Sequence, residues 1–308
     1  MQHRGARSLW GFVPRSDILG KAAALALRAA TAAALWAGVT PALADGPARV
    51  VSINLCTDQL AMLLASPGQL ISVTHLASDP RMSSMTAEAA HYPVNRGQAE
   101  QVFLLDPDLV LAGTYTPAAT VGLLRGLGVE VLQVPPVTSL AEAAAQIRLV
   151  GGALGRTAAA ETTAQAFEAE VAAVQSGGPV VSAAFYYANG YTTGAGTLAD
   201  EVLALTGFSN VGANAGVTGG GILPLERLVV AAPQVIVTAT PYPGASRSEE
   251  ILDHPALAAI GAQTGARTDA DWVCGTPHIL RAIRRMAALR AALQDKHDAG
   301  YAMTRAAP

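Results

Sequence analysis

The two cysteines of this chain, together with two of its histidines, are the residues best suited to chemistry. Cys56 and Cys274 are its only cysteines. In an exported protein two cysteines usually pair as a disulfide. The alternative is that their thiolates, with His75 or His278, bind a metal ion or the metal of a bound complex, although no tight ligand spacing supports it. The sequence by itself leaves both readings open.

Other signatures of catalysis or phosphate binding are missing from the sequence. It contains no glycine-rich phosphate loop, no nucleophile elbow and no compact acid–base pair. The net charge is −3 and no cluster of lysine and arginine stands out. Because phosphate backbones require concentrated positive charge, nucleic acid is not an expected partner. These features argue against an NTPase and against enzymes in general.

The N-terminus has the pattern of an export signal. Basic residues up to Lys21 precede the apolar segment 22–39, which Arg28 interrupts, and small residues follow at Ala42 and Ala44. This order predicts a signal peptide over residues 1–44, cleaved after Ala44, and a periplasmic protein. An uncleaved membrane anchor is the alternative, but Arg28 leaves too short an apolar run to span a bilayer of about 30 Å.

The elements that must position the reactive residues alternate between strand and helix. Residues 49–55 are predicted to form a buried strand, and Thr57 is predicted to cap a helix over 58–65. Apolar segments at 69–74, 109–112 and 130–134 indicate further strands. Strands separated by helices are typical of a mainly parallel sheet.

A long helical pattern over residues 157–175 divides the chain, and glycines follow it. A strand pattern begins again at 180–187. We therefore predict an α/β fold of two Rossmann-like lobes with mainly parallel sheets, joined by one long helix, with a cleft between them. The predicted division is 45–155 for the first lobe, 156–176 for the interlobe helix and 177–308 for the second lobe.

Segments 98–111 and 224–237 resemble each other. Each reads as a helical turn opening on a glutamate, Glu100 or Glu226, followed by a proline and then an apolar strand. A repeat at this separation indicates two similar lobes rather than a short-period solenoid. Small ligands commonly bind in the cleft between two such lobes.

Several segments together resemble the periplasmic substrate-binding proteins of ABC importers, in the subgroup that handles ferric siderophores, haem and cobalamin. These are the opening strand 49–55, the strand entry 107–110, the paired glutamates, and the run 190–198 followed by 207–210. The resemblance extends over essentially the whole chain after the signal. It implies two α/β lobes joined by a helix that permits only modest closure.

The resemblance also implies a role for the paired glutamates. In this family one glutamate from each lobe docks onto arginines of the membrane permease, and Glu100 and Glu226 occupy the matching positions. Bidentate carboxylate–guanidinium pairs would fix the orientation of the complex. The alternative is that each glutamate only stabilises its helix N-terminus.

The ligand is expected at the carboxyl ends of the strands, between the lobes. Cys56 and Cys274 are expected to face this region by analogy with the family, and aromatic rings there would suit a flat ligand. The candidate ligand-binding residues are Asn54, Cys56, Thr57, His75, Asn95, Arg96, Tyr115, Tyr187, Tyr191, Tyr242, Trp272, Cys274 and His278.

The implied function is a non-enzymatic carrier. It would capture a ferric siderophore, haem or cobalamin and deliver it to an inner-membrane ABC permease dimer. We expect a monomer, with no resident metal or cofactor. The alternative is an exported metal-binding or chelatase-like enzyme that uses Cys56, Cys274 and His75.

Overall fold

The computed structural model describes residues 46–174, 176–241, 244 and 246–306. The predicted export signal and Tyr242 therefore lie outside the described residues. The strands are β1 Val50–Ser52, β2 Leu70–Thr74, β3 Val94–Asn95, β4 Leu109–Gly113, β5 Glu130–Val134, β6 Val181–Phe185, β7 Tyr191–Thr193, β8 Phe208–Asn210, β9 Gly220–Ile222, β10 Val235–Ala239 and β11 Gln263–Thr268. The helices are α1 Leu55–Leu64, α2 Thr86–Ala89, α3 Ala99–Phe103, α4 Ala118–Gly126, α5 Leu140–Ala153, α6 Thr157–Ala172, α7 Leu198–Leu205, α8 Val211–Asn214, α9 Leu225–Ala231, α10 Pro255–Ile260 and α11 Ile279–Ala306.

Two parallel sheets form the framework. The first has five strands in the order β3-β2-β1-β4-β5, and the second has four in the order β11-β10-β6-β8. Every strand pair in both sheets is parallel. The central strand β1 and its neighbour β4 are buried along their whole length, as expected for a sheet covered by helices on both faces. The predicted α/β fold is confirmed.

The hairpin of α5 and α6 lies between the two sheets in the chain. Gly151 of α5 is needed at the crossing, since a Cβ there would lie 2.1 Å from the Ala160 Cβ. On the surface, Arg148 of α5 bonds to Glu161 and Glu168 of α6. The position of α6 supports the proposed division of the chain into lobes at 45–155 and 177–308.

One hydrophobic core runs through both sheets. It includes Val50 and Leu111 of the first sheet, Phe185 and Val237 of the second, and Ile279 at the start of α11. Further apolar clusters cover the outer faces of each sheet. Because the core is continuous, the two lobes are packed together at the base of the cleft.

The first helix begins three residues earlier than the sequence predicts. Asn54, not Thr57, is its N-cap, and the Asn54 side chain accepts hydrogen bonds from the backbone N–H groups of Cys56 and Thr57. The Thr57 hydroxyl instead bonds to Ser52 and donates to the Asn54 carbonyl. Asn54 is the better cap because its side chain accepts hydrogen bonds from two of the backbone N–H groups that have no partner within the helix.

Asp58 in the first turn of α1 is fully buried. Its carboxyl group accepts hydrogen bonds from the backbone N–H and the hydroxyl of Thr74 on β2. Burial raises its pKa from 3.8 to about 7, against the opposing effect of hydrogen bonds from Thr74 and Ser52. Burial therefore favours the protonated form of Asp58, whereas the hydrogen bonds from Thr74 favour the ionised form.

The Asp58→Asn protein is expected to lose less stability than wild type as pH rises. Between pH 4 and 7 the folded wild-type protein keeps a proton that the unfolded chain releases, so its free energy of unfolding falls with rising pH. Moving the pKa from 3.8 to about 7 corresponds to roughly 4 kcal/mol. Urea unfolding of both proteins at pH 4.5 and pH 8 measures the difference. A difference in free energy of unfolding between wild type and variant that is the same at pH 4.5 and pH 8 would contradict this account.

Candidate ligand-binding cleft

A cavity of about 170 Å³ lies where the strand order of the first sheet reverses. The chain leaves β1 and β4, which are neighbours, in opposite directions, so a crevice opens beyond their carboxyl ends. The residues at the ends of these strands line it: Asn54, Cys56 and Thr57 after β1, and residues 113–115 at the carboxyl end of β4. Residues 134–137 complete this side of the cavity.

The opposite wall of the cavity comes from the second half of the chain. It consists of Leu198 at the start of α7 and of residues from the segment 272–276, which precedes α11. The cavity is therefore built from both lobes. Of the predicted ligand residues, Asn54, Cys56, Thr57, Tyr115 and Trp272 line it.

A disulfide joins the two walls. The Sγ atoms of Cys56 and Cys274 lie 2.11 Å apart and their Cα atoms 5.3 Å apart. Cys274 is buried, whereas Cys56 is half-buried and faces the cavity. Because both sulfurs are used in this bond, neither is available as a thiolate ligand. The disulfide therefore replaces the metal-binding alternative for these two cysteines. Among the described residues no group of three or more His, Cys, Asp or Glu side chains is arranged to hold a metal ion.

The segment that carries Cys274 is packed tightly against the first lobe. The Thr276 hydroxyl donates a buried hydrogen bond to the Gln59 side chain of α1, at 3.1 Å. Gly275 lies so close to Val137 that an added Cβ would come within 2.5 Å of the Val137 Cβ. Only glycine fits at this approach. The local sequence does not indicate this contact, because Val137 and Gly275 are far apart in the chain.

Trp272 lies beside the disulfide in the cavity wall. Its ring packs edge-on against Phe185 of β6, with ring centroids 5.5 Å apart. The indole Nε1 is buried and has no hydrogen-bond partner among the described residues. At the mouth of the cavity Tyr115 is 88% exposed. An apolar, partly aromatic wall with an exposed ring at its edge suits a large flat ligand.

Asp271 anchors the Trp272 turn to α11 and to the first lobe. It accepts hydrogen bonds from Arg281 and Arg285 of α11 and from Ser84, which precedes α2. Burial alone would raise the pKa of Asp271, but the bonds from Arg281, Ser84 and Arg285 outweigh it and the pKa is lowered. The carboxylate therefore remains ionised and holds this wall in place.

A second cavity of about 250 Å³ shares Val273 with the first. Pro80 and Arg81 line it from the first lobe, and Ala239, Thr240 and residues 268–270 line it from the second. Arg81 also donates to the Pro241 carbonyl at 3.3 Å, across the cleft. Sequence reasoning missed Arg81 and Val273; the only signal available for Arg81 was its place after the carboxyl end of β2.

Several predicted ligand residues lie elsewhere. Asn95 is fully buried, and its amide bonds to Ser52, Ser72 and Gly97. Its side chain is therefore held inside the first sheet and lines neither cavity.

The remaining predicted ligand residues line neither of these two cavities: His75, Arg96, Tyr187, Tyr191, Cys274 and His278. His75 and Arg96 are exposed. Burial raises the pKa of Tyr187 to about 12, and its ring stacks on Phe185. Burial and the nearby Arg281 lower the pKa of His278, despite the opposing charges of Asp271 and Glu88.

The segments around Glu100 and Glu226 have the same local structure. Each glutamate is exposed in the first turn of a short helix, α3 or α9. Six residues later the backbone turns left-handed, with φ of 50° at Asp106 and 42° at Ala232, and a buried proline follows. Among the described residues, neither carboxylate forms an ion pair. The sequence echo is therefore a repeated structure that leaves both carboxylates open to solvent.

Comparison with known proteins gives matches along most of the chain. A family model described as "Periplasmic binding protein" matches residues 50–264. A cobalamin-binding protein of Halobacterium salinarum is 27% identical over 236 residues, which is 74% of this chain and 62% of that protein. The chain thus spans about three-fifths of the length of this curated relative.

Solved structures match the fold. The periplasmic haem-binding protein RhuT from Roseiflexus sp. RS-1 has a TM-score of 0.65 at 24% identity, covering 81% of this chain and 99% of that chain. The periplasmic vitamin B12-binding protein BtuF of Vibrio cholerae has a TM-score of 0.59 at 20% identity, covering 80% and 98%. At these identities the likeness shows a shared two-lobed architecture.

Proposed function

The chain belongs to the family of periplasmic binding proteins, and on that premise we propose that it is the solute-binding component of an ABC importer. It captures a metal complex in the cleft and delivers it to an inner-membrane permease dimer. The observation that supports this most directly is the cavity at the strand switch point, whose walls come from both lobes. The protein acts as a monomer with two lobes around one ligand.

Members of this family bind solutes and are not enzymes, so the prediction of a non-enzymatic protein is confirmed. The enzyme alternative also depended on thiols at Cys56 and Cys274, which are bonded to each other.

The family is one of exported proteins, and we propose that the signal is removed after Ala44. Among the described residues no helix is long and apolar enough to cross a membrane. The mature chain would then begin at Asp45.

The ligand class we favour is a corrinoid. Support comes from the cobalamin-binding relative of Halobacterium salinarum, which is 27% identical to this chain over 236 residues. A cavity of 170 Å³ accepts only part of so large a ligand, since ligand pockets that enclose drug-sized molecules have about 300–1,000 Å³. The rest of the ligand would lie across the mouth, against Tyr115, and extend toward the second cavity at Val273. Haem and ferric siderophores remain the other candidates.

Tryptophan fluorescence of the protein starting at Asp45 tests this proposal. Trp272 is then the only tryptophan, because Trp10 and Trp36 lie in the removed segment. Titration with cyanocobalamin, haemin and ferric siderophores, corrected for ligand absorbance, is expected to give saturable quenching with one class. Tyr115→Ala is expected to weaken that binding roughly tenfold, because a large aromatic contact is lost.

The matched control is Tyr92→Ala, a tyrosine that lines neither cavity. Absence of saturable binding for every ligand, by fluorescence and by calorimetry, would contradict the proposed ligand class. Equal weakening by the Tyr115 and Tyr92 variants would place the ligand away from the first cavity.

A further inference from the structure

Each segment that carries a candidate docking glutamate also exposes an aliphatic side chain four residues further on. Leu104 follows Glu100 and is 82% exposed; Val230 follows Glu226 and is 86% exposed. Among the described residues no other valine, leucine or isoleucine is as exposed as these two. Residues four apart lie on the same face of a helix. Each lobe thus presents a carboxylate and an apolar group side by side.

The two pairs are held in the same way by the fold. Val102 and Leu228, each two residues after the glutamate, are fully buried and anchor the opposite face of the helix. The left-handed residues Asp106 and Ala232 then end the two segments at equal spacing. The exposed glutamate and aliphatic residue therefore occupy the same positions within the two repeated segments.

The exposed aliphatic groups have no role inside the described fold. Single exposed aliphatic residues are common on protein surfaces, but here the exposure recurs at the same distance from each of the two glutamates. This repetition favours contact with another molecule. A partner that matches both copies must itself carry two copies of one surface, with a cation opposite the carboxylate and an apolar group opposite the aliphatic side chain. A dimeric permease meets this requirement.

We propose that Leu104 and Val230 form, with Glu100 and Glu226, a two-part docking surface for the permease dimer. This inference rests on the proposed transport function. The glutamates supply charge and orientation, and the aliphatic groups supply buried apolar area. Around Val230 a groove of about 460 Å³, walled by Val211, Ala215 and Ala231, provides room for a side chain of the partner.

The test measures binding of this protein, saturated with cyanocobalamin, to its permease. The permease is the one whose transport activity requires this protein, and it is purified into lipid nanodiscs. The double variant Leu104→Asn, Val230→Thr is expected to bind between about tenfold and a hundredfold more weakly, because two aliphatic contacts are lost. This loss is expected to be the same at 50 mM and 500 mM salt. A Glu100→Gln, Glu226→Gln variant is expected to lose less at high salt, because ions screen the charges.

The matched control is Leu123→Asn, Val180→Thr, which changes exposed aliphatic residues outside the two segments and is expected to bind as wild type. Ligand affinity and thermal melting of each variant establish that it is folded. Wild-type binding by the Leu104, Val230 variant, with weakened binding by the glutamine variant, would overturn this inference and leave the proposed function standing. Unchanged binding by both variants would count against the proposed glutamate docking as well.

Two further outcomes would overturn the inference in favour of another occupant. If wild type binds nanodiscs without permease as tightly as nanodiscs with permease, and the Leu104, Val230 variant does not, the surface would be assigned to lipid. A concentration-dependent dimer in sedimentation velocity, lost in the same variant, would assign it to a second copy of this chain.

Discussion

Replacing Glu100 and Glu226 together with alanine is expected to abolish ligand transport while leaving the ligand dissociation constant within about twofold of wild type. Both carboxylates are exposed, and neither lines the two cleft cavities. Sites without shared contacts act independently on stability and binding. Truncating a charge that pairs across an interface weakens association by about 2–5 kcal/mol, so two such losses weaken permease binding by a factor of about 1,000 or more.

The measurement combines uptake of labelled ligand in cells with ligand affinity of the purified variant. Glu130→Ala with Glu250→Ala is the matched control, since these glutamates are also exposed and lie outside the repeated segments. Each single glutamate variant is expected to retain partial transport, because the other lobe still docks. If the Glu100, Glu226 variant loses ligand binding instead, the glutamates serve the cleft and the docking role is wrong.

Reducing the Cys56–Cys274 disulfide is expected to destabilise the protein by about 5 kcal/mol. The bond links residues 218 positions apart, and closing a loop of this length in the unfolded chain removes about that much conformational entropy. For a domain of this size the melting temperature is expected to fall by roughly 10–20 °C. Scanning calorimetry with and without a reducing agent measures the change.

The Cys56→Ala, Cys274→Ala variant separates loss of the bond from other effects of the reductant. It is expected to melt near the temperature of the reduced wild type and to show no response to the reductant. Its ligand affinity is also expected to fall, because Cys56 and the segment 272–276 form facing walls of the cavity. Identical melting of oxidised and reduced wild type would show that the bond contributes nothing to stability.

The parts of the fold that depend on local pattern were predictable from the sequence. Apolar runs separated by helical segments indicated the parallel sheets, because strands buried on both faces must be apolar throughout. The echo of Glu100 in Glu226 indicated two similar lobes, because proline and a short helix fix the same local geometry in each. The position of Asn54, Cys56 and Thr57 at the cavity followed from their place just after β1.

The rest depended on contacts between residues far apart in the chain. The sequence left open whether Cys56 and Cys274 pair, since only the folded chain brings their Cα atoms to 5.3 Å. Asn95 was expected at the cleft, but it lies in β3 and its amide donates hydrogen bonds to Ser52 and Ser72 inside the sheet.

The exposure of Leu104 and Val230 was likewise undecided, because an aliphatic residue in a short helix is normally buried. Their equivalent placement emerges only when Val102 and Leu228 pack inward and turn the opposite helix face to solvent. The sequence by itself therefore determined the architecture and the repeated glutamates. Tertiary packing decided which side chains meet in the cleft and which remain exposed for a partner, because both depend on surfaces assembled from distant segments.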